Sequence, residues 1–136
     1  MKLADAAGEI ASGLLDLTRE GGPGNFMVVS SGDIYVQFAG SPGNPQVVCE
    51  SISNEYLPKT LKMSRDAIDR LQEFGFVLGG DEIENFSRSY EITSEEHARE
   101  VAETAMQILK EVYALPKSAE VQINCRSNSG GATAQA

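Results

Sequence analysis

The sequence has little of the residues that most often carry catalysis or bind metals. It contains one histidine, His97, and two cysteines, Cys49 and Cys125, in 136 residues. The cysteines lie far apart and form no Cys-x-x-Cys pair, so the sequence predicts neither a disulfide framework nor a zinc site. His97 falls in the first turn of a predicted helix, with no serine or cysteine nucleophile obviously paired with it. We interpret it as a surface residue.

Sequence motifs for phosphate binding and hydrolysis are also lacking. The glycine-rich stretches GGPG and GG have neither the lysine nor the helix context of a phosphate loop, and the sequence contains no G-x-S-x-G, H-E-x-x-H or dinucleotide-binding pattern. Asp81, Glu82 and Glu84 share one loop without EF-hand spacing, which does not indicate a dedicated cation site. We therefore expect a protein that is not an enzyme and that needs no cofactor.

Long apolar runs and an excess of basic residues are absent as well. No window approaches the 18 consecutive apolar residues of a membrane span. With 20 acidic and 11 basic residues the net charge is -9, and such a surface repels nucleic acids and anionic lipids. Acidity of this kind most simply serves solubility, although a basic or neutral partner is the alternative. Acidic residues at Asp5, Glu9 and Asp16 argue against a secretory signal, so we expect a cytoplasmic location.

What the sequence does contain is a succession of helix and strand patterns typical of one α+β domain. Apolar residues at helical spacing predict helices over 3–19, 65–74 and 94–114. The stretches FMVVS, DIYVQFA and QVVCESIS predict a three-stranded antiparallel meander, and NFSRSYEI a further strand. We expect an antiparallel sheet of about five strands with helices on one face, in a domain over 1–116. A short possible strand and a disordered polar tail follow over 117–136.

One predicted strand has an unusual second face. Strands that only cover a core normally show charges, Ser and Thr to solvent, whereas Tyr35 and Gln37 stand here. The alternation places these two residues on one face of the predicted sheet together with Val47 and Cys49. The opposite face then contains Ile34, Val36, Phe38, Val48 and Ile52. Either loops and termini bury both faces, or one face forms a dimer contact or a groove for an extended peptide. The residues that we predict for that surface are Tyr35, Gln37, Phe38, Val48, Asn54 and Tyr56.

Two details of this surface follow from the residue types. Asn54 comes directly after a strand, where its amide is expected to satisfy backbone groups rather than to contact a ligand. The Gly/Pro-rich turns at 40–45 and 79–81 are expected to leave neighbouring strand edges uncovered, close to Tyr35, Phe38 and Val48. Exposed edges accept an added strand.

Several motifs together resemble one protein family. They are GDIYVQFAG, ESISNEYLP, LQEFGF, NFSRSYEI and a final helix that ends in ILKEVYALP. This set resembles the peptide-binding chaperones grouped with type III secretion chaperones and YbjN (TY-Chap), over about Asn25 to Pro116, with Phe76 at a position that is usually tryptophan-like. The resemblance implies a small, dimerising α+β protein that holds a client protein or peptide in extended form.

A second function remains open beside the chaperone hypothesis. An acidic inhibitor of the immunity type would bind a folded basic partner through charge complementarity, and its association would weaken strongly with salt. A chaperone binds an unfolded segment through apolar and backbone contacts, with little loss at high salt. For either function a homodimer is expected, because a domain of this size has difficulty burying both sheet faces and three amphipathic helices.

Overall fold

The computed structural model describes residues 1–19, 26–78 and 85–126, and within these ranges the chain forms three α-helices and a six-stranded antiparallel sheet. The helices are α1 (Ala7–Thr18), α2 (Arg65–Glu73) and α3 (Glu95–Gln107). The strands are β1 (Phe26–Ser31), β2 (Ile34–Ala39), β3 (Gln46–Ser51), β4 (Val77–Leu78), β5 (Phe86–Glu91) and β6 (Gln122–Arg126). Their order across the sheet is β4-β5-β3-β2-β1-β6. The α+β class and the meander β1-β2-β3 are confirmed, and the sheet has six strands where about five were predicted.

The helices begin and end at residues whose chemistry explains the boundary. Ser64 caps α2, since its Oγ accepts a hydrogen bond from the Ala67 N–H at 3.1 Å. Gly75, with φ +94, follows the end of α2 in the left-handed conformation that favours glycine. The β1–β2 hairpin turns at Gly32, whose φ of +59 permits a two-residue connection from Ser31 to Ile34.

The cap of α3 differs from the sequence pattern. Thr93 and Glu96 form an apparent capping box, but the N-cap is Ser94, whose Oγ accepts from the His97 N–H at 3.1 Å. Thr93 Oγ1 instead lies 2.7 Å from the Nδ1 atom of the exposed His97 ring. The capping-box pattern alone therefore predicts a cap one residue too early, because both Thr93 and Ser94 have the hydroxyl that a cap requires.

One face of the sheet packs against the helices. On α1, Gly13 permits a close approach, because a Cβ atom there would lie 2.2 Å from Met27 Sδ on β1. Met27 pairs with Phe38, and Phe38 pairs with Cys49. The sheet residues buried on this helix-covered face include Met27, Val29, Ile34, Val36, Phe38, Val47 and Cys49.

This register corrects the predicted grouping of strand residues. Because Phe38 lies opposite Cys49, Val47 and Cys49 share the helix-covered face with Phe38, and Val48 shares the other face with Gln37. A shift of one residue in pairing transfers every side chain of a strand to the opposite face of the sheet. The sequence grouping of β3 was therefore wrong.

The predicted last strand forms β6 and pairs with β1, from Phe26 opposite Arg126 to Ser30 opposite Gln122. The preceding segment meets the start of the chain, where the Leu3 N–H donates to the Ala119 carbonyl at 2.8 Å. Residues 127–136, for which a disordered tail is predicted, lie outside the described residues.

Within the described ranges, no three or more His, Cys, Asp or Glu side chains are grouped so that they could hold a metal ion. Asp81, Glu82 and Glu84 lie outside these ranges. None of the described helices is long and apolar enough to cross a membrane.

Cys49 and Cys125 are both free, and burial raises the pKa of each thiol, which disfavours the reactive thiolate.

Candidate functional site

We call the sheet face turned away from the helices the open face, and two rows of cross-strand neighbours form its centre. Between β1 and β4, one row consists of Phe26, Ala39, Val48 and Ser89, and the other of Val28, Gln37, Glu50, Ser87 and Val77. These side chains are half-buried or exposed. Val48 keeps 43% of its surface in solvent and Val77 keeps 63%.

The centre of the open face has little charge. Between β1 and β4 the two rows contain one ionisable residue, Glu50, while Arg126 on β6 pairs with Phe26 and Glu91 on β5 pairs with Gln46 nearer the margins of this face. Phe26, Ala39 and Val48 stand side by side on β1, β2 and β3 and form a contiguous apolar strip. Contiguous exposed apolar surface next to polar groups is typical of binding sites.

Tyr35 is held in place at one end of the open face. Its hydroxyl accepts a hydrogen bond from Asn85 Nδ2 at 2.8 Å, and Asn85 Oδ1 accepts from the Ser53 N–H at 3.1 Å. Asn85 therefore joins the half-buried Tyr35 ring to the chain that leaves β3. The sequence analysis missed Asn85, although it is the first residue of the NFSRSYEI motif and stands directly before a strand.

Asn54 has a structural role. Its Oδ1 accepts from the Met63 N–H at 2.7 Å and its Nδ2 donates to the Met63 carbonyl at 3.0 Å, which closes the connection between β3 and α2. As expected, the amide satisfies backbone groups, although those of Met63 rather than of the strand end. Tyr56, in the same connection, is 54% exposed.

Two sequence predictions about this surface need correction. Phe38 is fully buried on the helix-covered face, so it cannot contribute to a surface that Tyr35 and Val48 share. β2 and β3 are interior strands of the sheet, so the turn at 40–45 does not expose an edge of either. The predicted meander left β3 at an edge, whereas β5 pairs with its outer side.

A shallow groove of about 570 Å³ crosses the open face beside β5. Its lining residues in the described part of the chain are Val48, Gly75, Val77, Ser87, Arg88 and Ser89. β4 pairs only with Phe86 and Ser87 of β5. The outer edge of β5 over residues 88–91 consequently has no strand neighbour among the described residues.

Arg88 fixes the geometry of this edge. Its Nη1 donates to the Phe74 carbonyl at the end of α2, at 2.5 Å, and its guanidinium carbon lies 4.3 Å from the centre of the Tyr90 ring. A Cβ atom on Gly75 would lie 2.9 Å from Arg88 Nη1, so glycine leaves the space that the guanidinium uses. The sequence analysis did not single out Arg88, although it belongs to the same motif as Asn85.

Comparison with known proteins identifies the family of this chain. None of the curated proteins and none of the solved structures matches the chain. The family model described as T3SS (YopN, CesT) and YbjN peptide-binding chaperone 3 (TY-Chap3) matches residues 2–125. This range extends beyond the resemblance seen in the sequence, at the start of the chain and into β6. The chain therefore belongs to the T3SS and YbjN family of peptide-binding chaperones.

Proposed function

We propose that this chaperone holds a client in extended form across the open face and along the outer edge of β5. The open face supports this proposal, because its apolar strip is half-exposed at the centre of the sheet and lies close to the outer edge of β5, which over residues 88–91 has no strand neighbour among the described residues. An extended segment can hydrogen-bond to the backbone of such an edge and place alternate side chains in pockets beside it. The groove between Val48 and Val77 supplies such a pocket.

The residues of the proposed surface offer different kinds of contact to a client. Val48 and Val77 offer apolar contact, and the Gln37 amide can both donate and accept hydrogen bonds. Tyr35 presents an aromatic ring whose orientation is set by Asn85. Tyr56 remains a prediction for the margin of the surface, while Asn54 holds the loop that carries it.

The test compares a charge placed in the apolar strip with the same charge placed elsewhere. Val48→Glu should weaken binding of a client peptide, recovered by pull-down and labelled for fluorescence anisotropy, by about 1–3 kcal/mol, the range of an interface hot spot. Leu61→Glu is the matched control, because Leu61 is 40% exposed and lies outside the open face. Chemical denaturation of both variants separates binding loss from unfolding.

Three outcomes can contradict parts of the proposal. If Val48→Glu is folded and binds the peptide as tightly as the wild type, the open face is not the client site. If Tyr35→Ala keeps its peptide affinity and loses much stability, Tyr35 belongs to the core. Binding that collapses at high salt and requires a folded basic partner would favour the acidic inhibitor instead.

A further inference from the structure

A second groove lies in the helical layer, between the start of the chain and α3. It has a volume of about 450 Å³, an apolar floor that includes Leu3, Ala7 and Met106, and the side chains of Lys110 and Lys117 at its rim. We propose that this groove binds a protein segment in which an apolar side chain stands next to carboxylates. The site goes beyond the proposed function, because it shares no residue with the open face.

Lys110 and Lys117, like the other lysines of the described ranges, form no ion pair there. They stand together at one groove of a chain in which acidic residues outnumber basic ones almost two to one. Glu111, the neighbour of Lys110, makes its ion pair with Arg70 at 2.8 Å, and its pKa is lowered by the Arg70 hydrogen bond first and by the charge of Lys110 to a lesser extent. With two ammonium groups and one carboxylate, Glu103, the groove lining has an excess of positive charge that attracts anionic groups.

The chain follows an uncommon path to bring these lysines together. Lys110 lies in a π-helical turn, Ile108–Val112, that continues α3, and the Tyr113 N–H donates to the Ile108 carbonyl at 3.3 Å. Short π-helical turns of this type are frequent at functional sites. The chain then reverses, so that the Lys117 carbonyl accepts from the Ala4 N–H at 3.1 Å.

The groove also has a direction. Glu103 lines the end opposite Lys110, seven residues earlier on the same helix and thus roughly 10 Å away. A uniformly acidic ligand is repelled at the Glu103 end, so the carboxylates of the partner must lie at the lysine end. The flexible Met106 side chain between them adapts to apolar groups of different shape. The distance corresponds to about three residues of extended chain.

The experiment selects ligands from a random peptide library displayed on phage, with the full chain as bait. We expect enriched peptides in which Asp or Glu stands beside Leu, Ile, Phe or Met. The double variant Lys110→Glu/Lys117→Glu should bind them at least about tenfold more weakly, a change of about 1.4 kcal/mol. The control Lys59→Glu/Arg99→Glu changes the net charge equally at exposed positions outside the groove, and should bind as the wild type does.

Further variants and a competitor distinguish this groove from the open face and a peptide ligand from a lipid. Val48→Glu should leave the affinity for these peptides unchanged, which separates this site from the open face. Lys110→Gln/Lys117→Gln, which adds no negative charge, should also weaken binding. Equal binding to the lysine variants, no enrichment of peptides with adjacent acidic and apolar residues, or retained affinity after Asn and Gln replace the peptide carboxylates would overturn the proposal. Stronger competition by dodecanoate than by the peptides would also overturn it, in favour of a lipid carboxylate.

Discussion

At the scale of single residues, Ala114 holds a backbone conformation that suits glycine. Its φ is +61, and its side chain is exposed after the end of the π-helical turn. A residue with a side chain costs about 1–2 kcal/mol in this conformation, and glycine does not carry this cost. Glycine loses more backbone entropy on folding, however, so only part of the gain remains. We expect Ala114→Gly to raise the unfolding free energy, measured in urea, by about 0.5–1 kcal/mol. Ala4→Gly, at an exposed position without positive φ, should lower it; parallel losses in both variants would contradict this reasoning.

Because of Tyr90, the free energy of unfolding is expected to vary with pH in the alkaline range. Burial raises its pKa to about 12, whereas an unfolded tyrosine titrates near 10. The unfolded state therefore loses its proton first, and the stabilisation that is present below pH 10 declines as pH rises toward 12. Burial raises the pKa of Tyr113 as well. We expect the urea midpoint of Tyr90→Phe to fall less between about pH 9 and 11 than that of the wild type. An equal fall in both proteins would show that Tyr90 does not contribute.

At the scale of elements, the two glycines of α1 have opposite effects on its stability. A Cβ atom at Gly8 meets nothing within 4 Å, whereas one at Gly13 meets the buried Met27. Gly8→Ala should therefore raise the unfolding free energy by up to about 1 kcal/mol through helix propensity. Gly13→Ala should lower it by about 1–3 kcal/mol through overpacking, in spite of the same propensity gain. Thermal unfolding of the pair measures both, and stabilisation by Gly13→Ala would show that Met27 can move aside.

Helices and strands with a clear repeat of apolar residues could be predicted from the sequence. The pairing register between neighbouring strands could not. The apolar stripes of α1 and α3 and the alternation in β2 correctly located these elements. Alternation inside β3 shows only that Val47 and Val48 face opposite ways; which of them joins Phe38 depends on the turn at 40–45. The two residues of β4 are too few to show any period. Asn85 was missed for another reason, since its partner Tyr35 lies 50 residues away in the sequence.

At the scale of the whole molecule, the open face is expected to influence the oligomeric state. A folded chain that exposes the strip of Phe26, Ala39 and Val48 has a surface that a second copy or a client can cover. We expect sedimentation equilibrium to give a homodimer at high micromolar concentration in the absence of client. A monomer at that concentration would contradict the prediction.

The pairing of β6 with β1 has a consequence for synthesis of the chain. Phe26 and Arg126 are neighbours in the sheet, although about 100 residues separate them, and such long-range contacts form slowly. While the ribosome is still making the second half of the protein, β1 and β2 can already form a hairpin whose outer edge has no neighbour. An unpaired edge of this kind invites association between nascent chains. The last described strand to emerge is thus the one that covers this edge. Until β6 has been made, the outer edge of β1 is open to pairing with another chain.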